Sequence, residues 1–290
     1  MKLCVITPTS HLDLAGYGNG IHMALTHLTE NDDYCRAYQR YRNKGEYIIL
    51  DNSAFEMEQQ GKGLDPLPVL IAARKIGVDE VIATDVLLKG SETVKSTRNF
   101  VTEYQKFYSE EIRLGKPVPK IMAVPQGNTI EEWTDCYIQL LATPGVNVIG
   151  FSKIAVPVAF GGPKARKVSG GVTQSRLKLY EYLSNSKLWP SQIFSHQNIQ
   201  IHLLGGDNWS GHEIQTINKL RYVIRSNDTS APVWYGANGI AFDPFTGKAP
   251  EFIEQKPDLE NHRQDTAEKI KKNLALIQAN ISVLLKMSNS

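Results

Sequence analysis

Three aspartates follow short apolar runs in distant parts of the sequence. Asp51 follows the run 48–50, Asp85 follows 81–84, and Asp228 comes shortly after 222–225. Carboxylates in such places serve as covalent nucleophiles or as general acids and bases. An aspartate after a strand often only caps the next helix, so one alone would carry little weight. Three such positions together favour a catalytic site.

Eight short apolar runs predict the strands that would carry these acids. They are rich in β-branched residues, and helix-length segments separate many of them, as in a parallel sheet with crossover helices. The predicted strands are 3–7, 47–50, 80–84, 120–124, 147–151, 199–204, 222–225 and 233–235. This number favours an α/β fold of the TIM-like (β/α)8 type over an open doubly wound sheet. In a barrel the carboxyl ends of the strands converge on one mouth, so the three aspartates would share a cavity.

The C-terminal part of the sequence departs from this regular pattern. Only residues 226–232 separate the last two predicted strands, too few for a crossover helix, so we expect the barrel to be irregular there. A long helix is predicted over 258–287, with an apolar stripe that would pack on the barrel. The stripe consists of Ile270, Leu274, Ile277, Ile281 and Leu284. The length of 290 residues suits a single barrel domain spanning 1–290.

The amino-acid composition limits the classes of protein to which the chain can belong. Lys and Arg total 32 against 30 Asp and Glu, a net charge of +2, so any surface that binds nucleic acid must be local. The cysteines at positions 4, 35 and 136 are far apart, which favours a reduced, cytoplasmic protein without disulfides or a cysteine metal site. No apolar run approaches the roughly 18 residues that a membrane span needs, so no membrane partner is expected.

Six short motifs surround the three aspartates. They are Ile49-Leu50-Asp51-Asn52-Ser53-Ala54-Phe55-Glu56, Ala83-Thr84-Asp85, Ala123-Val124-Pro125-Gln126-Gly127, Ser152-Lys153-Ile154-Ala155-Val156, His202-Leu203-Leu204-Gly205-Gly206 and Asp228. In this order, over about residues 48 to 228, they resemble motifs of the tRNA-guanine transglycosylase superfamily, whose members exchange a guanine base without cutting the strand. Each motif is weak alone, and the ordered set is specific. The resemblance implies a TIM-like barrel and a pentosyltransferase activity.

The resemblance assigns catalytic roles to two of the aspartates. Base exchange must break a glycosidic bond and re-form it at the same carbon, which a covalent glycosyl-enzyme achieves in two inverting steps. Asp228 falls where the family keeps its nucleophile. Asp51 is then the candidate acid and base, because the departing guanine needs a proton and the incoming base must lose one. Ser152, Lys153 and Gly205 fall in motifs that line the base pocket in the family.

Recognition of the base is expected to rest on the third aspartate. A guanine-type edge presents two adjacent donors, which one carboxylate can accept together, and Asp85 fits that role. The amide of Gln126 or the backbone N–H groups near Gly127 would donate to the neighbouring carbonyl. Phe55 and Leu204 would sandwich the ring, as their counterparts do in the family.

Departures from the family pattern narrow the expected substrate. The zinc site of the tRNA enzymes, Cys-x-Cys-x-x-Cys with a distant histidine, has no counterpart here, so no metal or other cofactor is expected. The chain is also shorter, and Lys153 replaces a pocket glycine. These features look most like the phage-encoded DNA-guanine transglycosylases. DNA and a free base of the 7-cyano-7-deazaguanine type are therefore the expected partners.

Three other functions stay open at this point. The same exchange could act on tRNA, although the missing zinc motif counts against it. A catalytically silent barrel could bind nucleic acid as the partner subunit of a transglycosylase, although such a subunit would be expected to lose its nucleophile. A metal-dependent barrel hydrolase is a third class, for which the histidines lack ligand spacing. The sequence leaves the oligomeric state open.

One segment predicts contacts with nucleic acid. Five cations occur between residues 164 and 178 without an intervening acid, and neighbouring glycines would let the segment follow a phosphate backbone. The residues are Lys164, Arg166, Lys167, Arg176 and Lys178. A solvated surface is the alternative interpretation.

Overall fold

Eight parallel strands form a TIM-like (β/α)8 barrel. The computed structural model describes residues 1–61, 63–162, 164–193, 198–220, 222–250 and 264–289. The strands are β1 (Lys2–Val5), β2 (Ile21–Leu25), β3 (Tyr47–Asp51), β4 (Glu80–Ile82), β5 (Lys120–Ala123), β6 (Val146–Ser152), β7 (Gln200–Leu204) and β8 (Ser226–Thr229).

The strands follow the order β1-β8-β7-β6-β5-β4-β3-β2, which brings the first strand beside the second. Asn19 links the two ends of this sheet, because Leu3 N donates to Asn19 Oδ1 and Asn19 N donates to Leu3 O over 3.2 Å. On the other side, β1 pairs with β8 so that Cys4 lies opposite Asp228. The barrel is thus nearly closed.

Helices surround the barrel and connect its strands. In the described part of the chain they are α1 (Asp32–Asn43), α2 (Ala54–Gln59), α3 (Pro66–Ile76), α4 (Gly90–Phe107), α5 (Ser109–Arg113), α6 (Ile130–Leu141), α7 (Gly171–Asn185), α8 (Pro190–Ile193), α9 (Ser210–Leu220), α10 (Ala231–Ala237), α11 (Gln264–Lys272) and α12 (Leu274–Ser288). The first connection has a 3-10 segment, Thr9–Tyr17, in place of an α-helix. None of the helices described is long and apolar enough to cross a membrane.

Apolar side chains fill the inside of the barrel and the layer around it. The interior cluster includes Cys4, Met23, Ile49, Met122 and Val148. Outside the strands, one cluster joins β3 and β4 to α1 and α3, a second joins β6 and β7 to α6 and α7, and a third joins β1 to α10 and α12. These layers hold the strand ends in fixed positions, which is what a catalytic site at the mouth requires.

Six predicted strands agree with the structure to within one or two residues at each end. They correspond to β1, β3, β4, β5, β6 and β7. The strand β2 was not predicted, because its sequence Ile-His-Met-Ala-Leu is short and follows the turn Gly18-Asn19-Gly20. Its pairing with β3 along the whole length supplies what its local sequence lacks.

The last two predicted strands are wrong in position. The strand predicted at 222–225 lies instead at Ser226–Thr229, four polar residues held between β1 and β7. The strand predicted at 233–235 lies within α10, whose first turn contains Pro232 and whose buried Val233 and Tyr235 belong to the apolar cluster shared with α12. The crossover between β7 and β8 is α9.

The C-terminal helix is present as two segments, α11 and α12, which Asn273 separates. Ile270, Ile277, Ile281 and Leu284 of the predicted stripe are buried, whereas Leu274 is 39% exposed because it lies at the break. Residues 258–263 of the predicted helix lie outside the described residues.

Candidate active site

The three aspartates share the mouth of the barrel at the carboxyl ends of the strands. Asp51 is the last residue of β3, Asp85 follows β4, and Asp228 lies near the end of β8. Burial raises the pKa of Asp51 to about 8, and the negative charges of Glu56, Asp228 and Asp85 add to the effect. The acids are therefore close enough for their charges to interact, although they are far apart in the sequence.

Two donors hold one oxygen of the Asp228 carboxylate. Gly205 N lies 2.9 Å from Asp228 Oδ1, and His202 Nε2 lies 3.0 Å from the same atom. Gly205 has a φ of 73°, in the region that favours glycine. Among the described residues, no donor contacts Asp228 Oδ2. That oxygen is free to act on a substrate.

Lys153 lies next to this carboxylate. A Cβ on Gly205 would come within 2.3 Å of Lys153 Cδ, so the aliphatic part of the lysine lies directly over the glycine backbone. Burial lowers the pKa of the Lys153 ammonium, and the charge of Asp228 opposes that effect. The backbone N–H of Lys153 donates to Leu204 O over 2.9 Å, so the donor that Lys153 can offer to a ligand is its side chain. An ammonium here can donate to an anion or a carbonyl beside Asp228.

The turn after β3 fixes the Asp51 side chain. Ser53 N donates to Asp51 Oδ1 over 2.6 Å, and Ser53 has a φ of 59°, a strained left-handed conformation for a residue other than glycine. Such strain is often found at functional sites. A glycine would adopt this conformation freely.

Two amides hold the Asp85 carboxylate. Asn52 Nδ2 donates to Asp85 Oδ1 over 2.8 Å, and Gln126 Nε2 donates to Asp85 Oδ2 over 2.6 Å. Burial raises the pKa of Asp85 to about 6, and these two hydrogen bonds limit the rise because they favour the charged form. Each carboxylate oxygen keeps a second lone pair, so Asp85 can still accept from a ligand.

Gln126 and Gly127 have partners within the protein. Gln126 Oε1 accepts from Leu88 N over 3.0 Å, so the amide is engaged at both ends, although Nε2 retains a second hydrogen. A Cβ on Gly127 would lie 2.5 Å from Trp133 N, so glycine is needed for the loop to pack against α6. No contact among the described residues shows Gly127 facing the aspartates, and its part in base binding stays a prediction.

The other predicted pocket residues lie in different layers. Phe55, on α2, is 39% exposed, whereas Leu204 ends β7 and packs against the interior apolar cluster. Ser152 Oγ accepts from Ile154 N at 2.9 Å and from Ala155 N at 3.4 Å, so its hydroxyl stabilises the turn after β6. Stacking by Phe55 and Leu204, and base binding by Ser152, stay predictions.

Comparisons with known proteins do not identify a family. No family model matches the chain. No curated protein matches it either. The function is therefore inferred from the chemistry of the site, because the barrel fold alone hosts many reactions.

Four of the five predicted phosphate contacts are on the surface. Lys164, Arg166 and Lys167 are exposed in the connection between β6 and α7, and Lys178 is exposed on α7. The connection follows the carboxyl end of β6, so Lys164, Arg166 and Lys167 belong to the same end of the barrel as the aspartates.

Arg176 is a correction to the sequence-based prediction. It is fully buried, its Nη2 donates to the carbonyl oxygens of Phe151 (2.7 Å) and Leu204 (2.6 Å), and its Nη1 is 3.3 Å from Glu213 Oε2. A guanidinium held in this way cannot contact a phosphate at the surface. Arg176 instead fixes the ends of β6 and β7, which carry Lys153 and Gly205.

Sequence reasoning missed two polar residues of the site. Asn52 was seen only as part of a motif, and it orients Asp85. His202 was considered only as part of a motif and as a possible metal ligand, and it contacts Asp228. The alternation of side chains along β7 contained a signal for His202, because it lies two residues before Leu204 and so faces the same side of the strand.

Two further features lie apart from the aspartates. Among the residues described, no three His, Cys, Asp or Glu side chains are grouped so that they could hold a metal ion. A cavity of about 320 Å³ lies between the β1–β2 connection and α1. Its lining, which includes Thr9, Asp13, Tyr34 and Arg40, contains none of the predicted site residues.

Proposed function

We propose that the protein is a base-exchange glycosyltransferase that replaces guanine in DNA by a 7-deazaguanine of the 7-cyano-7-deazaguanine type. The observation that carries the proposal is the pairing of two unlike carboxylates at one mouth. Asp228 has one oxygen held by two donors and one oxygen free, whereas burial raises the pKa of the neighbouring Asp51 to about 8. Two carboxyl groups with different environments suit a nucleophile and an acid–base catalyst.

In the first step, Asp228 Oδ2 attacks the anomeric carbon of the target nucleotide. A carbon–oxygen bond forms to the carboxylate, and the bond between that carbon and the guanine nitrogen breaks with its electron pair leaving on guanine. In the second step, the glycosidic nitrogen of the incoming base attacks the same carbon and releases the carboxylate. Two inversions preserve the configuration, and the phosphodiester backbone is not cut.

Asp51 supplies and recovers the proton in these two steps. With a pKa of about 8, its carboxyl group holds a proton at neutral pH and can give it to the departing guanine. The carboxylate that results then accepts the proton that the incoming base loses from its glycosidic nitrogen. The proton balance is closed over one exchange without any other group.

Asp85 is the proposed recognition group for the base. Its orientation by Asn52 and Gln126 leaves it able to accept from the ring N–H and the exocyclic amine of a guanine-like edge. Lys153 is the proposed donor to the opposite side of the base, because its side chain reaches the vicinity of Asp228. The target base must leave the helix stack, or be single-stranded, to reach this depth.

The direct test is exchange of isotopically labelled guanine, and of 7-cyano-7-deazaguanine, into DNA and into tRNA. We expect incorporation into DNA by the wild-type chain, none by an Asp228→Ala variant with unchanged circular dichroism, and no loss in EDTA. Incorporation into tRNA and not into DNA would show that tRNA is the substrate. Absence of exchange in both nucleic acids would contradict the proposed function, and activity that needs an added metal would favour a metal-dependent hydrolase.

A further inference from the structure

A line of polar side chains runs through the otherwise apolar interior of the barrel and ends at Asp228. Arg225 Nε is 3.0 Å from Ser226 Oγ, Ser226 Oγ is 2.7 Å from His202 Nδ1, and His202 Nε2 is 3.0 Å from Asp228 Oδ1. His202 and Ser226 are fully buried. We call these four residues the polar column.

The far end of the polar column is anchored at the opposite end of the barrel. Arg225 Nη1 and Nη2 donate to the two carboxylate oxygens of Glu80 at 2.5 and 3.0 Å, and Tyr47 OH donates to Glu80 Oε2 at 2.8 Å. A bidentate pair of this kind fixes the plane of the guanidinium. Arg225 Nε is thereby held in place against Ser226.

The donors and acceptors of the polar column have one consistent arrangement. Arginine can only donate, so Ser226 Oγ accepts from Arg225 Nε and its hydroxyl hydrogen is free to point at His202 Nδ1. The Asp228 carboxylate accepts, so His202 Nε2 carries the ring hydrogen. A hydrogen on Nδ1 as well would leave the Ser226 hydroxyl hydrogen without an acceptor among the described residues.

We propose that His202 is a positioning residue for the nucleophile. Its hydrogen bonds to the other members of the polar column determine which ring nitrogen of His202 carries the hydrogen. The Nε2 hydrogen, together with Gly205 N, holds Asp228 Oδ1 and so presents Oδ2 for attack. The catalytic part of this inference rests on the proposed function, and the tautomer does not. A purely packing role for position 202 would be met better by an apolar residue, such as Met122 and Val148 of the interior cluster.

The tautomer is tested in the free protein by ¹⁵N NMR of the histidine rings, with the His202 signals identified by their loss in His202→Gln. We expect a hydrogen on Nε2 and none on Nδ1. We also expect the Asp228 carboxyl ¹³C signal to shift in His202→Leu and to change less in His202→Gln, because glutamine can place an amide N–H near the Nε2 position. A hydrogen on Nδ1 would overturn the proposal, and so would an Asp228 carboxyl ¹³C shift that is the same in wild type, His202→Leu and His202→Gln.

The catalytic part is tested by exchange kinetics of the same variants. Loss of a hydrogen bond to a charged group predicts that His202→Leu lowers kcat by about 10- to 150-fold with little change in the KM for the base. His202→Gln should recover much of that loss. Equal kcat values for His202→Leu and wild type, at equal folded fractions, would leave His202 a structural residue only. If the wild type shows no exchange at all, the proposed function fails, and the NMR results still decide whether His202 orients Asp228.

Discussion

Glu80 at one end of the barrel and the three aspartates at the other have different partners. At the end where the strands begin, Glu80 is fully buried and is neutralised by the bidentate contact with Arg225. At the mouth, no lysine or arginine of the described residues forms an ion pair with Asp51, Asp85 or Asp228 within 4.0 Å. Histidine, amide and backbone donors hold the aspartates there instead.

This difference distinguishes Glu80 from the three aspartates of the proposed site. Glu80, paired with Arg225, links β4 to the segment before β8. A buried carboxylate without a cation is costly, and burial raises its pKa, as it does for Asp51 and Asp85. Proteins retain such groups mainly where chemistry needs them. Substitutions at the mouth should therefore cost activity, and substitutions at the opposite end should cost stability.

The largest expected effect comes from Asp228→Asn. Asparagine retains an Oδ1 that accepts from His202 and Gly205, but it removes the carboxylate that is the proposed nucleophile. Base exchange should fall by about 10⁴-fold or more, whereas the urea midpoint of unfolding should stay equal or rise, because one uncompensated charge is removed. Labelled-guanine exchange and urea unfolding measure the two quantities. An Asp228→Asn variant that is less stable than wild type but exchanges bases at the normal rate when folded would show that Asp228 has a structural role and is not the nucleophile.

The opposite end is tested by Glu80→Met, which removes the partner of a buried arginine. The expected loss in the free energy of unfolding is about 3 to 5 kcal/mol, measured by urea denaturation. Glu92→Met, in an exposed pair with Lys89, is the matched control and should change stability by less than about 1 kcal/mol. Adding Arg225→Met should restore much of the stability, since no unpaired charge then remains. Failure of the double variant to recover would show that Arg225 has other essential contacts.

The sequence predicted the positions of the acids better than their surroundings. Asp51 and Asp85 follow apolar β-branched runs, which local pattern detects. The strand β8 escaped detection because Ser226, Asn227, Asp228 and Thr229 are polar, and only pairing with β1 and β7 makes them a strand. Helical spacing could have predicted that Arg176 is buried. It lies four residues after Val172 and three before Leu179, and so on the buried face of α7. Its partner Glu213 is 37 residues away, which no local pattern reveals.

The pH dependence of stability provides a third test. The pKa of Asp51 is raised to about 8 in the folded state, above its value of about 4 when unfolded, so the folded chain binds the extra proton and loses stability as pH rises from about 4 to 8. Asp51→Asn cannot ionise, so its stability relative to wild type should be greater at pH 9 than at pH 5, by about 3 to 5 kcal/mol.

Thermal or urea unfolding at the two pH values measures this difference for Asp51→Asn. The control is Asp33→Asn, which changes an exposed aspartate paired with Arg36. It should change the stability by the same amount at pH 5 and at pH 9. A constant difference between Asp51→Asn and wild type from pH 5 to 9 would mean that Asp51 is already ionised at pH 5, and it could not then serve as the acid.

The smallest expected effect concerns the exposed cations between β6 and α7. The experiment separates binding of the phosphate backbone from recognition of the base. Changing Lys164, Arg166 and Lys167 together to Ala should weaken binding to DNA and make its salt dependence less steep by about 1 to 3 in log–log slope. The choice between guanine and 7-cyano-7-deazaguanine should not change, because phosphate contacts carry no base information. Fluorescence anisotropy against salt concentration measures the slope, and competition between the two bases measures the choice.

A control with the same change in net charge separates local contact from general electrostatics. Lys106, Arg113 and Lys116 are exposed in and after α4 and α5, before β5 begins, and so belong to the opposite end of the barrel. Their replacement by Ala should leave the salt slope nearly unchanged, since distant charges are screened over about 10 Å at 0.1 M salt. Equal losses from the two triple variants would mean that overall charge, and not the segment beside the aspartates, governs binding. A loss confined to the first variant, with base choice intact, would place the phosphate backbone along the same rim that carries Lys153.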